Sequence, residues 1–320
     1  MDAIKTEGLT KHYTKGFWRP RPYPALQDLT LQVGQGEVFG FLGPNGAGKT
    51  TTLKLLMQLI FPTSGRAEIL GRPVGDAAIR QRIGYLPENP YFYDNLTAEE
   101  LLIYFARLFG CGGAEGRQRA SRLLDAVGIG TERRLQLRKF SKGMVQRVGI
   151  AQALINDPEV VFLDEPMSGL DPLGRREVRE LILKLRDDGR TVFFSSHVLT
   201  DAEALCSRVA ILAKGRLAAT GSVNDLTAFD ARGWELVVTG MTDDGLGRIR
   251  SRISSCTQLG DGRYALGLPI STAPEPLMAE LSASGTRVVS LNKVRGTLED
   301  VFVEHVRAAS ADRERRNLAS

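Results

Sequence analysis

The sequence predicts an α/β fold organised around a parallel sheet, and three observations carry that prediction. EVFGFL (37–42) is a short apolar run bounded by glycines, the pattern of a buried strand, and a helical stretch follows it. VVFLD (160–164) and TVFFSS (191–196) repeat the pattern. Between those two, GRREVRELILKLRDDG (174–189) has the helical apolar period and closes on Gly189. A strand, a crossover helix and a second strand make a parallel pair.

The other elements follow in order. A helix is expected over roughly 49–60, with Pro62 to stop it. LTAEELLIYFARLFG and RASRLLDAVGIG, within about 90–156, read as amphipathic helices with no clear strand between them, so a helical insertion is expected. After Phe229 the composition changes. WELVVTG, GRYALGL and TRVVSL read as strands, and GLGRIRSRISS and PLMAELSASG as helices, followed by the helix TLEDVFVEHVRAA. The expected domains are therefore 1–225 and a small α+β domain over 230–308, with 309–320 a polar, disordered tail.

The composition is that of a globular protein, and it narrows the function classes. Lys and Arg exceed Asp and Glu by 42 − 37 = 5, a weak surplus for nucleic-acid binding. Part of it sits in KGFWRPR (15–21), read as a hairpin loop, and in DRERR (312–316). Cys111, Cys206 and Cys256 share no metal-ligand spacing and suggest no disulfide framework. The first residues contain no apolar signal segment. LKLLMQLIF (53–61), the longest apolar stretch, is far short of the ~20 residues that span a bilayer. A soluble chain is expected, with any membrane role supplied by a partner.

The motif GPNGAGKTT (43–51) carries the most specific chemistry. Gly43, Pro44, Asn45, Gly46, Ala47, Gly48, Lys49, Thr50 and Thr51 fit the phosphate-binding loop, between an expected strand and an expected helix. Its glycines let backbone N–H groups converge on an anion, Lys49 can reach β- and γ-phosphates, and the Thr50 hydroxyl can ligate Mg²⁺. Thr51 adds a donor near the α-phosphate. VVFLDEP ends a buried strand in two acids, which is costly without a partner. Asp164 is placed to hold the metal, leaving Glu165 to orient and deprotonate water. His197 ends the next strand, and ligands of parallel sheets gather at strand carboxyl ends, so it belongs near the same phosphate. His12 and His305 are given no role. In FSKGMVQRVG (140–149), Ser141 can cap a helix or aim its N-terminus at a phosphate; the ten residues leave both open.

Together these motifs resemble the ATP-binding subunits of ABC transporters over residues 4 to about 225. The resemblance implies a P-loop NTPase with a RecA-like core, an antiparallel β edge and an inserted helical subdomain. It implies ATP and Mg²⁺ as ligands, with Thr50, Asp164 and Glu88 on the metal and Glu165, His197 and Lys49 catalytic. FSKGM lies in the slot of the family signature, since Ser141 and Glu165 are 165 − 141 = 24 apart. Ser141, Lys142 and Gly143 would then close over ATP held by a second subunit, with two ATP molecules between two copies. Tyr13 matches the aromatic that stacks on adenine, although a core aromatic is the plain alternative. Glu88 stands in the place of a loop glutamine, with a solvated loop acid as its alternative. Asp171, in SGLDP, matches the loop that crosses the dimer interface and would anchor it. Lys142 replaces the signature's first glycine and Met144 its glutamine. Such variants, with the TLEDVF segment, resemble the ATPases of ABC-2 type exporters. The implied partners are a transmembrane permease and a second copy, at the cytoplasmic face of the membrane. No nucleic acid is expected, although a soluble ABC ATPase acting on nucleic acid or ribosomes is the alternative.

Overall fold

The computed structural model describes residues 1–16, 21–228, 233–260, 262–294 and 297–305. It divides into two compact units, one holding Met1–Val223 and resuming at Phe302, the other Asn224–Val301. The expected disordered tail lies outside the described residues, as do residues 17–20 of the KGFWRPR segment.

The first unit opens with two long strands, β1 (Asp2–Lys15) and β2 (Arg21–Gly34), paired antiparallel so that Tyr13 stands opposite Tyr23. The buried strand β3 (Val38–Leu42) leads through the phosphate-loop sequence into α1 (Lys49–Leu56). This helix ends four residues before the expected position. Gln58 adopts a left-handed φ of 52°, and the Gln58 and Leu59 N–H groups bond back to the Leu55 and Lys54 carbonyls. That closing motif stops the helix before Pro62 is reached.

Next come β4 (Ser64–Ile69), β5 (Arg72–Pro73), α2 (Ala77–Arg80) and β6 (Ile83–Leu86). Strands β1, β2, β4 and β5 form one antiparallel sheet in the order β2-β1-β4-β5. The helical insertion contains α3 (Ala98–Leu108), α4 (Gly113–Ala126) and α5 (Lys142–Ala153), which pack on one another. Thr97 begins α3 with a reciprocal capping box to Glu100. The chain re-enters the core with β7 (Val160–Asp164), α6 (Pro172–Asp187), β8 (Thr191–Ser196) and α7 (Leu199–Leu205). It continues with β9 (Arg208–Ala213) and β10 (Arg216–Ser222); α8 (Val223–Ala228) starts at the last residue of this unit and otherwise belongs to the second.

The central sheet has the order β10-β9-β3-β8-β7-β6, and every neighbouring pair except β10–β9 is parallel. Every residue of β3, β7 and β8 is buried, which explains their unbroken apolar sequences. Phe193 stacks on Phe39 and meets Phe41 and Phe162, so aromatic side chains from all three strands lock the middle of the sheet. Because β3, β8 and β7 are adjacent, their carboxyl ends deliver residues 43–48, His197 and Glu165 to one edge.

The second unit contains β11 (Gly233–Thr239), α9 (Asp243–Ile249), β12 (Ser255–Gly260), β13 (Arg263–Pro269), α10 (Pro274–Ala283) and β14 (Arg287–Val294). Its antiparallel sheet has the order β12-β13-β11-β14, and Leu236, Val238, Leu266 and Leu268 meet Ile249, Leu277 and Leu281 in its core. The stretch GLGRIRSRISS is therefore not one helix. It leaves the helix after Ile249, and the Ser254 N–H bonds to the Gly267 carbonyl to start the β12 pairing.

Candidate nucleotide-binding site

The cleft at the carboxyl edge of the parallel sheet begins with the start of α1. The first N–H groups of a helix have no intrahelical partner. At α5, α6 and α3 those groups are met by Ser141, Asp171 and Thr97, each accepting a backbone hydrogen bond. At α1 the cap is Gly48, which offers no side chain. This uncapped helix end lines the cleft, where its donors and helix dipole suit an anion.

Gly48 is also the least replaceable residue of the loop. Its φ is +110°, and a Cβ there would lie 2.5 Å from the Ala25 carbonyl oxygen. Gly48→Ala is expected to lower the melting temperature by more than about 5 °C, combining backbone strain with a main-chain clash. Circular dichroism melts of the two proteins check this.

Lys49 is 6% exposed, and its Nζ donates to the Gly43 carbonyl at 2.7 Å and lies 3.2 Å from Glu165 Oε1. The other Glu165 oxygen, Oε2, is 2.8 Å from His197 Nδ1. Glu165 thus sits between the buried ammonium and the more exposed imidazole. Its backbone has a left-handed φ of 49°, a strained state for a non-glycine residue. The strain is held by Ser195, whose hydroxyl and carbonyl both accept the Glu165 N–H.

The same Ser195 hydroxyl donates to Asp164 Oδ1 at 2.6 Å. Burial pushes the Asp164 carboxyl above its usual range; the Ser195 and Thr50 hydroxyls pull it down, and Glu165 and Glu88 add to the rise. Nearby, burial and the charges of Asp164 and Glu88 push the Tyr85 phenol up to about 12. The second Asp164 oxygen, Oδ2, is buried without a hydrogen-bond partner among the described residues. A hard divalent cation fits this place: an orphaned carboxylate oxygen, a threonine hydroxyl beside it, and an excess of acids.

The cleft has a volume of about 340 Å³ and is lined by Tyr13, Tyr23, Ala25, residues 44–51, Glu88 and Glu165. Tyr13 is 37% exposed, which excludes the core reading, and Lys11 lies 5.4 Å from its ring centroid. Glu88 is exposed but lines the same cleft.

Ser141, Lys142, Gly143 and Asp171 are not part of that lining. They line a second cleft of about 380 Å³ with Arg147, Gly169, Leu170, Leu173, Gly174 and Glu177, and the two clefts share no lining residue. The Ser141 hydroxyl accepts the Met144 N–H, and Asp171 accepts the Gly174 N–H. The Lys142 side chain lies across Gly169, whose missing Cβ makes room for it.

Two residues were not singled out in the sequence. Tyr23 reaches the first cleft only through its register with Tyr13, and Ser195 looks like any small residue of a buried strand.

The ABC transporter family profile matches residues 26–168. An uncharacterized ABC transporter ATP-binding protein of Synechocystis sp. is 47% identical over 308 residues, 96% of this chain and 85% of that protein. The chain belongs to the ATP-binding proteins of ABC transporters. It is an ATPase of that family, with relatives of exporter type. One is a fluoroquinolones export ATP-binding protein of Mycobacterium tuberculosis, 40% identical over 227 residues, 70% of this chain and 72% of that protein. Among solved structures, a dimeric ATP-binding cassette in a post-hydrolysis state bound to ADP and Pi superposes with a TM-score of 0.63. It is 28% identical and covers 68% of this chain and 98% of its own.

Proposed function

We propose that two copies of this chain close around two ATP molecules and drive a separate transmembrane permease, in the direction of export. The observation that carries this reading is the separation of the two clefts. One has a lysine and an uncapped helix start but lacks the signature residues; the other has the signature residues but no phosphate loop. A second copy supplies each cleft with its complement. The dimeric cassette and the fluoroquinolones export protein support the pairing and the direction by similarity. No described helix is long and apolar enough to cross a membrane; in this reading the permease holds the chain at the cytoplasmic face.

The chemistry follows from the residues. Tyr13 and Tyr23 flank the base. The amides of residues 45–51 and the Lys49 ammonium hold the phosphates. Thr50 and Asp164, with Glu88 nearby, would hold Mg²⁺, which would offset phosphate charge and polarise the transferred group. Glu165 accepts the proton of the attacking water as the oxygen bonds to the γ-phosphorus and the bridging β–γ oxygen leaves with ADP. The His197 contact fixes one carboxylate oxygen and the Lys49 contact the other, so the carboxylate is held in a set direction.

Purification of the tagged chain from detergent-solubilised membranes tests the partnership. A polytopic membrane protein is expected in fixed ratio to the chain, with turnover changing when the pair enters liposomes. Recovery of the chain wholly on ribosomes or nucleic acid, released by salt, would support the soluble alternative.

A further inference from the structure

We infer that Asp201 is a positioning residue that links the segment carrying His197 to the loop ahead of α6. It thereby couples the hydrolytic pair to the second cleft, and the inference rests on Glu165 and His197 being that pair. Asp201 belongs to the first turn of α7, which starts two residues after His197, and it is only 2% exposed. Two arginines of α6 face it: Arg175 Nη1 lies 3.9 Å from Oδ2 and Arg179 Nε 3.7 Å from Oδ1.

Neither distance is a hydrogen bond. Asp201 Oδ2 and Arg179 Nε are both buried without a hydrogen-bond partner among the described residues. Leaving such groups unmade is expensive, and an apolar pair of similar size would fill the same space at less cost. A displacement of about 1 Å would close either contact into a charge-assisted hydrogen bond. The cluster therefore has a second, tighter arrangement within short reach.

Its connections give that movement consequences. Arg175 Nε donates to the Leu170 carbonyl at 3.4 Å, and Leu170 lines the second cleft beside Gly169 and Asp171. On the other side, Glu165 and His197 both act electrostatically on Asp201, whose carboxyl is pushed up chiefly by burial and held down by Arg175 and Arg179. Drawing Arg175 toward Asp201 thus shifts the backbone of the loop that the second copy would meet. The same contact sets where α7, and with it His197, can rest.

The test compares Asp201→Asn, Asp201→Glu and Glu165→Gln in the full chain by steady-state ATPase kinetics and thermal unfolding. Asp201→Asn keeps the volume and removes the charge. It is expected to lower kcat by about tenfold or more, as small misplacements of catalytic groups do. The KM for ATP should stay within about twofold and the melting temperature within about 3 °C, the shift of roughly 1 kcal/mol in a domain of this size. Asp201→Glu, which restores a carboxylate, is expected to recover most of the turnover. Turnover of Asp201→Asn within about twofold of the unsubstituted chain would overturn the inference. So would a rise in KM in place of the kcat loss, or a parallel loss of turnover and stability in both Asp201 variants. Full turnover of Glu165→Gln would instead remove the hydrolytic pair itself.

Discussion

Glu165→Gln is expected to reduce ATP turnover by about 10²–10⁴-fold, the range for loss of a positioned general base. Glutamine matches the carboxylate in shape but cannot accept the proton from water. The contacts that position residue 165 are largely kept, because its N–H still meets Ser195 and its side-chain oxygen can still accept from Lys49 or His197. In the proposed site the nucleotide is held by residues 43–51 and the two tyrosines, none of which is changed, so ATP is expected to remain bound and a closed pair of chains to accumulate. Size-exclusion chromatography with ATP, read beside a phosphate-release assay, separates the two effects. A variant that turns over normally would remove Glu165 from the base role.

Lys49→Ala is expected to weaken ATP binding by about tenfold or more, the loss of a hydrogen bond to a charged group at 1.5–3 kcal/mol. It should also change stability in a way that binding data alone would miss. Lys49 and Glu165 are a buried pair, their side chains 6% and 8% exposed. Deleting one partner leaves the other buried and uncompensated, a cost of about 3 kcal/mol where water is excluded and less beside an open cleft. Adding Glu165→Gln to Lys49→Ala should therefore recover part of the lost melting temperature, although both substitutions remove activity. A double variant less stable than either single variant would contradict the pairing.

Much of this site was legible in the sequence because it stands at the ends of strands buried on both faces. Continuous apolar runs mark β3, β7 and β8, and the functional residues follow directly where each run stops. Asp164, Glu165 and His197 are assigned to one edge by that logic, and Lys49 by the phosphate-loop motif that follows β3. Tyr23 was not legible, because its place depends on a long hairpin whose register shifts several times between Asp2 and His12. Ser195 was missed because a serine inside a buried strand gives no outward signal of the two hydrogen bonds its hydroxyl makes. In the second unit, β12 is exposed along its whole length, so no apolar alternation separates it from the helix before it. The early end of α1 lies in a non-glycine residue with left-handed backbone, Gln58, which composition does not mark.

In the proposed dimer each complete ATP site is made from the first cleft of one copy and the second cleft of another. Mixing two inactive variants tests it most directly. Lys49→Ala disables only the first cleft, and Ser141→Arg would fill only the second. In a mixed pair, the intact phosphate loop of the Ser141→Arg chain meets the intact signature of the Lys49→Ala chain. Turnover, near zero for each variant alone, is expected to reappear on mixing and to rise with the proportion of mixed pairs. Turnover that stays at the level of the separate variants, under conditions where mixed pairs are shown to form, would contradict it.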